Sequence, residues 1–181
     1  MKKIIVWLAI IVIVLVSGFF ALNRYIYVEK QGDAGFKPEQ DHKFIQYTIN
    51  GKQFRLADGD TGESNDQTKN PTITKYFGNE AYGDLDGDGI SDIAFILTQS
   101  GGGSGTFYYV VVALKTDDGY VGTNGMLLGD RIAPQTTEIR NERLIVNFAT
   151  RKADEPMSAP VSVGTTAYFK VVDDMLEPIL P

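Results

Sequence analysis

Two uninterrupted apolar runs constrain the fold of this chain more than any other feature. Ile93-Ala94-Phe95-Ile96-Leu97 and Phe107-Tyr108-Tyr109-Val110-Val111-Val112-Ala113-Leu114 contain no charged residue and are rich in β-branched and aromatic side chains. A strand with one face in water alternates apolar and polar residues. A run that is apolar at every position suits a strand covered on both faces. Gly101-Gly102-Gly103-Ser104-Gly105 turns the chain between the runs, so the two strands are expected to be neighbours at the centre of a sheet.

The rest of the chain beyond residue 44 reads the same way. Phe44 to Ile49 and Lys52 to Leu56 flank Asn50-Gly51, the strongest two-residue hairpin signal. Ile73 to Tyr82 is β-like, and Asp58 to Pro71 reads as a polar loop. Shorter strands are expected at Met126 to Leu128 and on either side of two turns, Asn141-Glu142 and Asp173-Asp174. No segment here sustains a helical period, and no internal repeat occurs. The expected fold class is all-β: a single small antiparallel sheet or sandwich domain behind one N-terminal transmembrane helix.

That helix is read from Ile4 to Leu22, where no charged residue interrupts an apolar stretch. At about 1.5 Å per residue the stretch spans the hydrocarbon core of a bilayer. Lys2 and Lys3 before it favour an N-terminus inside and the bulk of the protein exported. The predicted organisation is a transmembrane signal anchor over 1–23, a linker over 24–43 and an exported β domain over 44–181. The expected location is a single-pass membrane protein with an extracytoplasmic C-terminal domain. His42, the only histidine, falls in the linker and is expected to be solvated. The chain has no cysteine, which excludes disulfides and thiolate metal sites. Its 17 basic against 23 acidic residues argue against a nucleic-acid partner.

Chemistry concentrates in Asp84-Leu85-Asp86-Gly87-Asp88-Gly89-Ile90-Ser91-Asp92. Carboxylates stand at alternate places and again at the end, a density of negative charge that is unfavourable without a cation. Oxygen-only donors select a hard ion, and crowded, flexible carboxylates favour calcium over magnesium. The predicted ligands are the side chains of Asp84, Asp86, Asp88 and Asp92 with the backbone carbonyl of Ile90, holding one structural Ca²⁺. Gly89 and Gly87 serve the tight turns of the loop. Phe95 occupies the place where an EF-hand has its bidentate glutamate, and the flanks are strands, so an EF-hand is excluded.

Tyr82 to Leu97, an acidic loop of this spacing followed by an apolar strand, resembles the calcium-binding hairpin of FG-GAP repeats, the blades of integrin-type propellers. The resemblance implies the metal site. It does not extend to a propeller, because the loop occurs once. Over most of its length, including Gly101 to Tyr109, Leu128 to Ile132 and the anchor end Phe19 to Tyr27, the chain also resembles membrane-anchored proteins of candidate-phylum bacteria. That resemblance implies an anchored, exported domain and no particular activity.

The functional expectation is a membrane-anchored, extracytoplasmic calcium-binding β module with a structural or partner-binding role. Its partners are expected to be the membrane, through the helix, and an envelope protein or glycan. The alternative is a cell-envelope hydrolase, or an inhibitor of one, using carboxylates such as Asp60, Asp130 or Glu142. Paired acids in a cleft would favour the enzyme; an exposed aromatic patch around Tyr108, Tyr109 or Tyr120 would favour binding. Asp130-Arg131 is expected to form a surface-turn ion pair.

Overall fold

The computed structural model describes residues 41–56, 61–63, 72–101 and 103–180. The stretches expected to form a membrane anchor and most of a linker lie outside the described residues. Strands β1 (Gln46–Ile49) and β2 (Lys52–Arg55) form a hairpin. Asn50 and Gly51 join them at φ of 51° and 75°, the backbone that a twisted two-residue hairpin requires.

The largest sheet has six strands. Five follow one another as β3 (Thr61–Glu63), β4 (Ile73–Gly83), β5 (Asp92–Ser100), β6 (Phe107–Thr116) and β7 (Gly119–Gly122), each antiparallel to the next. β8 (Met126–Asp130) shares the outer edge of β6 with β7. β7 pairs with Ala113–Thr116 and β8 with Phe107–Val110. A second sheet has the order β12-β11-β10-β9, formed by Ala133–Ile139 (β9), Leu144–Thr150 (β10), Val163–Val172 (β11) and Met175–Pro178 (β12). The Asn141-Glu142 and Asp173-Asp174 turns hold all four residues at positive φ. Thr61–Glu63 departs from the expected polar loop: it pairs with Ile73–Lys75 as an edge strand. The all-β expectation stands, and every pair of these strands is antiparallel; one isolated parallel bridge joins Thr48 to Asn124.

The strand period of two sorts the apolar runs onto two faces. Ala94 and Ile96 of β5, with Val110, Val112 and Leu114 of β6, face Leu144, Val146, Phe148, Phe169 and Leu176 of the second sheet. Ile93, Phe95 and Leu97, with Tyr109, Val111 and Ala113, face Ile45, Tyr47, Ile49, Phe54 and Leu56 of the hairpin layer. β5 and β6 pair from Ile93↔Ala113 to Gln99↔Phe107 and lie between two covering layers, which is why neither run has room for a polar side chain.

Residues 123–125 tie the three layers together. Thr123 N–H donates to the Val112 carbonyl at 2.9 Å, inside the central sheet. The Thr123 carbonyl accepts from Thr48 N–H at 3.3 Å, and Gly125 N–H donates to the Thr48 carbonyl at 2.7 Å, on the hairpin. The Asn124 amide acts as a surrogate peptide towards β12: Nδ2 donates to the Leu176 carbonyl at 3.0 Å and Oδ1 accepts Leu176 N–H at 2.7 Å. Gly122 permits this approach, since a Cβ there would stand 2.1 Å from the Gln46 carbonyl oxygen.

Candidate metal centre

The loop 84–91 closes the end of the β4–β5 hairpin, beyond the last pair Gly83↔Asp92. Alternation continues into it. Leu85 turns inward and is 2 % exposed in the aliphatic core, which fixes the loop to the domain and leaves Asp84 and Asp86 facing out. Gly87 and Gly89 both sit at φ of 85°, so the two glycines of the motif supply backbone that other residues adopt at a cost.

Backbone amides organise the carboxylates. Asp84 accepts from Gly87 N–H at 2.8 Å on Oδ1 and from Gly89 N–H at 2.9 Å on Oδ2. Asp86 accepts from Asp88 N–H at 3.1 Å, and Asp88 from Ile90 N–H at 2.7 Å. These bonds offset part of the negative charge and hold the side chains against the loop's own backbone. One carboxylate oxygen from each of Asp84, Asp86 and Asp88 lies within 4.8 Å of the other two. Such a group can hold a metal ion; carboxylate oxygens suit a hard cation.

Asp92 and Ile90 stand differently. Asp92 is fully buried and lies outside that group of three. Its Oδ2 accepts Leu85 N–H at 2.8 Å and its Oδ1 accepts Lys115 N–H at 2.9 Å, which fastens the loop entrance to the end of β6. Burial raises its pKa against those two hydrogen bonds, and the Asp86 and Asp88 charges add to the rise. Asp86 is also raised, first by desolvation and then by Asp88 and Asp84. Ile90 exposes its side chain and gives its N–H to Asp88. A further acid approaches from the β9–β10 turn: a Cβ on Gly87 would stand 3.7 Å from Glu142 Cδ.

Of the other carboxylates named from the sequence, Asp130 is separate from the loop. Asp130 accepts Thr106 N–H at 2.9 Å and pairs with Arg131 at 3.2 Å, the expected turn ion pair, here bracing the glycine-rich link. Asp60 lies outside the described residues.

A second polar cluster escaped the sequence reading. His42 is not solvated: its side chain is 13 % exposed, in a 3₁₀ turn (His42–Phe44) against the hairpin-side core. Its ring meets Phe95 edge-on at 5.4 Å and Tyr120 at 6.2 Å. Nε2 lies 3.3 Å from Glu80 Oε1 and Nδ1 lies 3.2 Å from Asp41 Oδ1. Glu80 also accepts from the hydroxyls of Tyr76 and Tyr82. Burial alone would raise the Glu80 pKa; the two hydroxyls and His42 outweigh it and hold the carboxyl below its usual range. Tyr76 moves up, by burial and then by its bond to Glu80. Tyr76, Glu80 and Tyr82 are near one another in the sequence, but His42 joins them from 38 residues away, so no local motif announces the cluster.

No protein-family model matches the chain, and neither a curated protein nor a solved structure is significantly similar to it. Among the described residues no helix is long and apolar enough to cross a membrane.

Proposed function

We propose that this protein is a membrane-anchored, extracytoplasmic β module that binds one calcium ion at Asp84, Asp86 and Asp88, with a structural or partner-binding role. The observation that carries the reading is the convergence of the three carboxylates within 4.8 Å on a loop bolted to the core through Leu85 and Asp92. An ion there relieves the mutual repulsion that otherwise opposes the loop. Calcium suits it better than magnesium, because the carboxylates sit on flexible side chains at the surface and calcium tolerates irregular oxygen geometry. The likeness of Tyr82 to Leu97 to the FG-GAP hairpin supports the same ion. The apolar run Ile4 to Leu22 supports an anchor, and export places the loop where weak calcium sites fill, at affinities on the order of 10⁻⁴–10⁻³ M.

Melting the purified protein with calcium or with EDTA tests the metal. At a calcium concentration about 100 times Kd, linkage adds about 2.7 kcal/mol, which raises Tm by about 5–10 °C in a domain of this size. Asp86→Asn with Asp88→Asn removes that response. An unchanged Tm across millimolar calcium and EDTA refutes the metal assignment.

A further inference from the structure

We propose that the groove between the β1–β2 hairpin and β7 binds a short anionic saccharide, with Arg55 receiving its carboxylate. The proposal deepens the partner-binding half of the function above and rests on that reading. The groove measures about 430 Å³, within the range of small-ligand sites. In the register of the hairpin, Gln46 stands opposite Arg55 and Thr48 opposite Gln53. All four therefore share the face turned away from Tyr47 and Phe54, and all four line the groove. Tyr120 and the 37 % exposed Phe44 supply its aromatic walls.

Charge selects the ligand. The chain carries a net charge of −6, yet none of the groove's lining residues is Asp or Glu. Among the described residues no carboxylate pairs with Arg55. A guanidinium presents a planar fork that matches a carboxylate in two hydrogen bonds. Two planar amides and a hydroxyl offer donors and acceptors side by side, which suits vicinal sugar hydroxyls. The exposed apolar surface of Phe44 suits the C–H face of a pyranose. The site is also preorganised: Gly122 packs on the Gln46 carbonyl, and Thr48 is bonded to Thr123 and Gly125, so little loop ordering accompanies binding.

The test titrates the full chain in detergent with trigalacturonate, its methyl ester and an acidic peptide, followed by calorimetry. The acid form should bind at least tenfold more tightly than the uncharged ester. Arg55→Gln should weaken it at least tenfold and leave Tm unchanged, because the side chain is exposed and pairs with no carboxylate among the described residues. No binding at millimolar trigalacturonate, an ester that binds equally, an unaffected Arg55→Gln protein, or tighter capture of the peptide each overturns the proposal. A protein blind to calcium that still binds trigalacturonate fails the metal reading alone and upholds the groove. One stabilised by calcium but blind to the saccharide fails the groove alone.

Discussion

The two faces of the central sheet are built from the same pair of strands and covered in opposite ways. Towards the second sheet, β5 and β6 present Ala94, Ile96, Val110, Val112 and Leu114 to a cover of four strands. Stability there comes from area removed from water and from close packing. Towards the hairpin the cover has two strands, too few to hold a layer by burial alone. That face uses aromatic residues with polar tips instead. The Tyr47 hydroxyl reaches the His42 carbonyl at 2.5 Å, Asn50 Nδ2 reaches the Tyr109 hydroxyl at 3.1 Å, and Tyr76 reaches Glu80. A thin layer leaves polar groups near the surface, so the groove and the His42–Glu80 cluster both collect on the hairpin side. The thick layer seals the aliphatic face, and its β9–β10 turn brings Glu142 beside the acidic loop.

The largest expected effect breaks the hairpin face at its centre. Phe95 is fully buried and meets His42, Tyr47 and Tyr76 within 5.4 Å between ring centroids. Phe95→Ala should cost about 4 kcal/mol in denaturant unfolding and should accelerate amide exchange at Tyr47 and Phe54 more than at Val146. A loss below about 1.5 kcal/mol would mean the hairpin is held by its polar tips alone. Next in size is the tie between the layers. Asn124→Ala leaves the N–H and carbonyl of the buried Leu176 without their partners, at a cost of about 2 kcal/mol. Exchange should rise first at β12. Equal acceleration across all three layers would show that Asn124 is not the local link between β12 and the central sheet.

The same contrast explains what the sequence disclosed. The doubly covered strands were legible because burial on both faces forbids polar residues at every position from Ile93 to Leu97. The Asn50-Gly51, Asn141-Glu142 and Asp173-Asp174 turns were legible because turn chemistry is local. Which layer covers which face was not, since alternation gives a strand two sides without naming their partners. β7 was missed because glycines bound its two central residues, and β3 because a three-residue edge strand has no period to read. In the acidic loop, spacing revealed Asp84, Asp86 and Asp88. It could not reveal that Asp92 would brace Lys115, a residue 23 positions away. His42 looked like linker because Asp41 and Lys43 flank it. Its burial depends on Glu80, 38 residues on, and on Phe95.

The smallest effect separates the two faces by their response to pH. Glu80 is 25 % exposed and accepts from Tyr76, Tyr82 and His42, so its ionised form is favoured in the folded state. Its folded pKa therefore lies below the ordinary 4.5. A carboxyl lowered in this way contributes stability that is present above its unfolded value and is lost as pH falls through the folded one. Glu80→Gln keeps the shape and removes the charge. It should cost about 1 kcal/mol at pH 7, discounted for partial exposure. The gap to the unsubstituted protein should narrow once the pH drops below 4.5. Leu144→Ala, on the aliphatic face, provides the contrast: about 3 kcal/mol lost, by the same amount at either pH, because no titrating group is removed. Chemical denaturation of both variants at pH 7 and pH 4 measures the difference. A Glu80→Gln gap that stays constant across that range would place the carboxylate outside the interactions that hold the hairpin layer, leaving Phe95, its aromatic neighbours and the backbone bonds of Thr48 to fasten it.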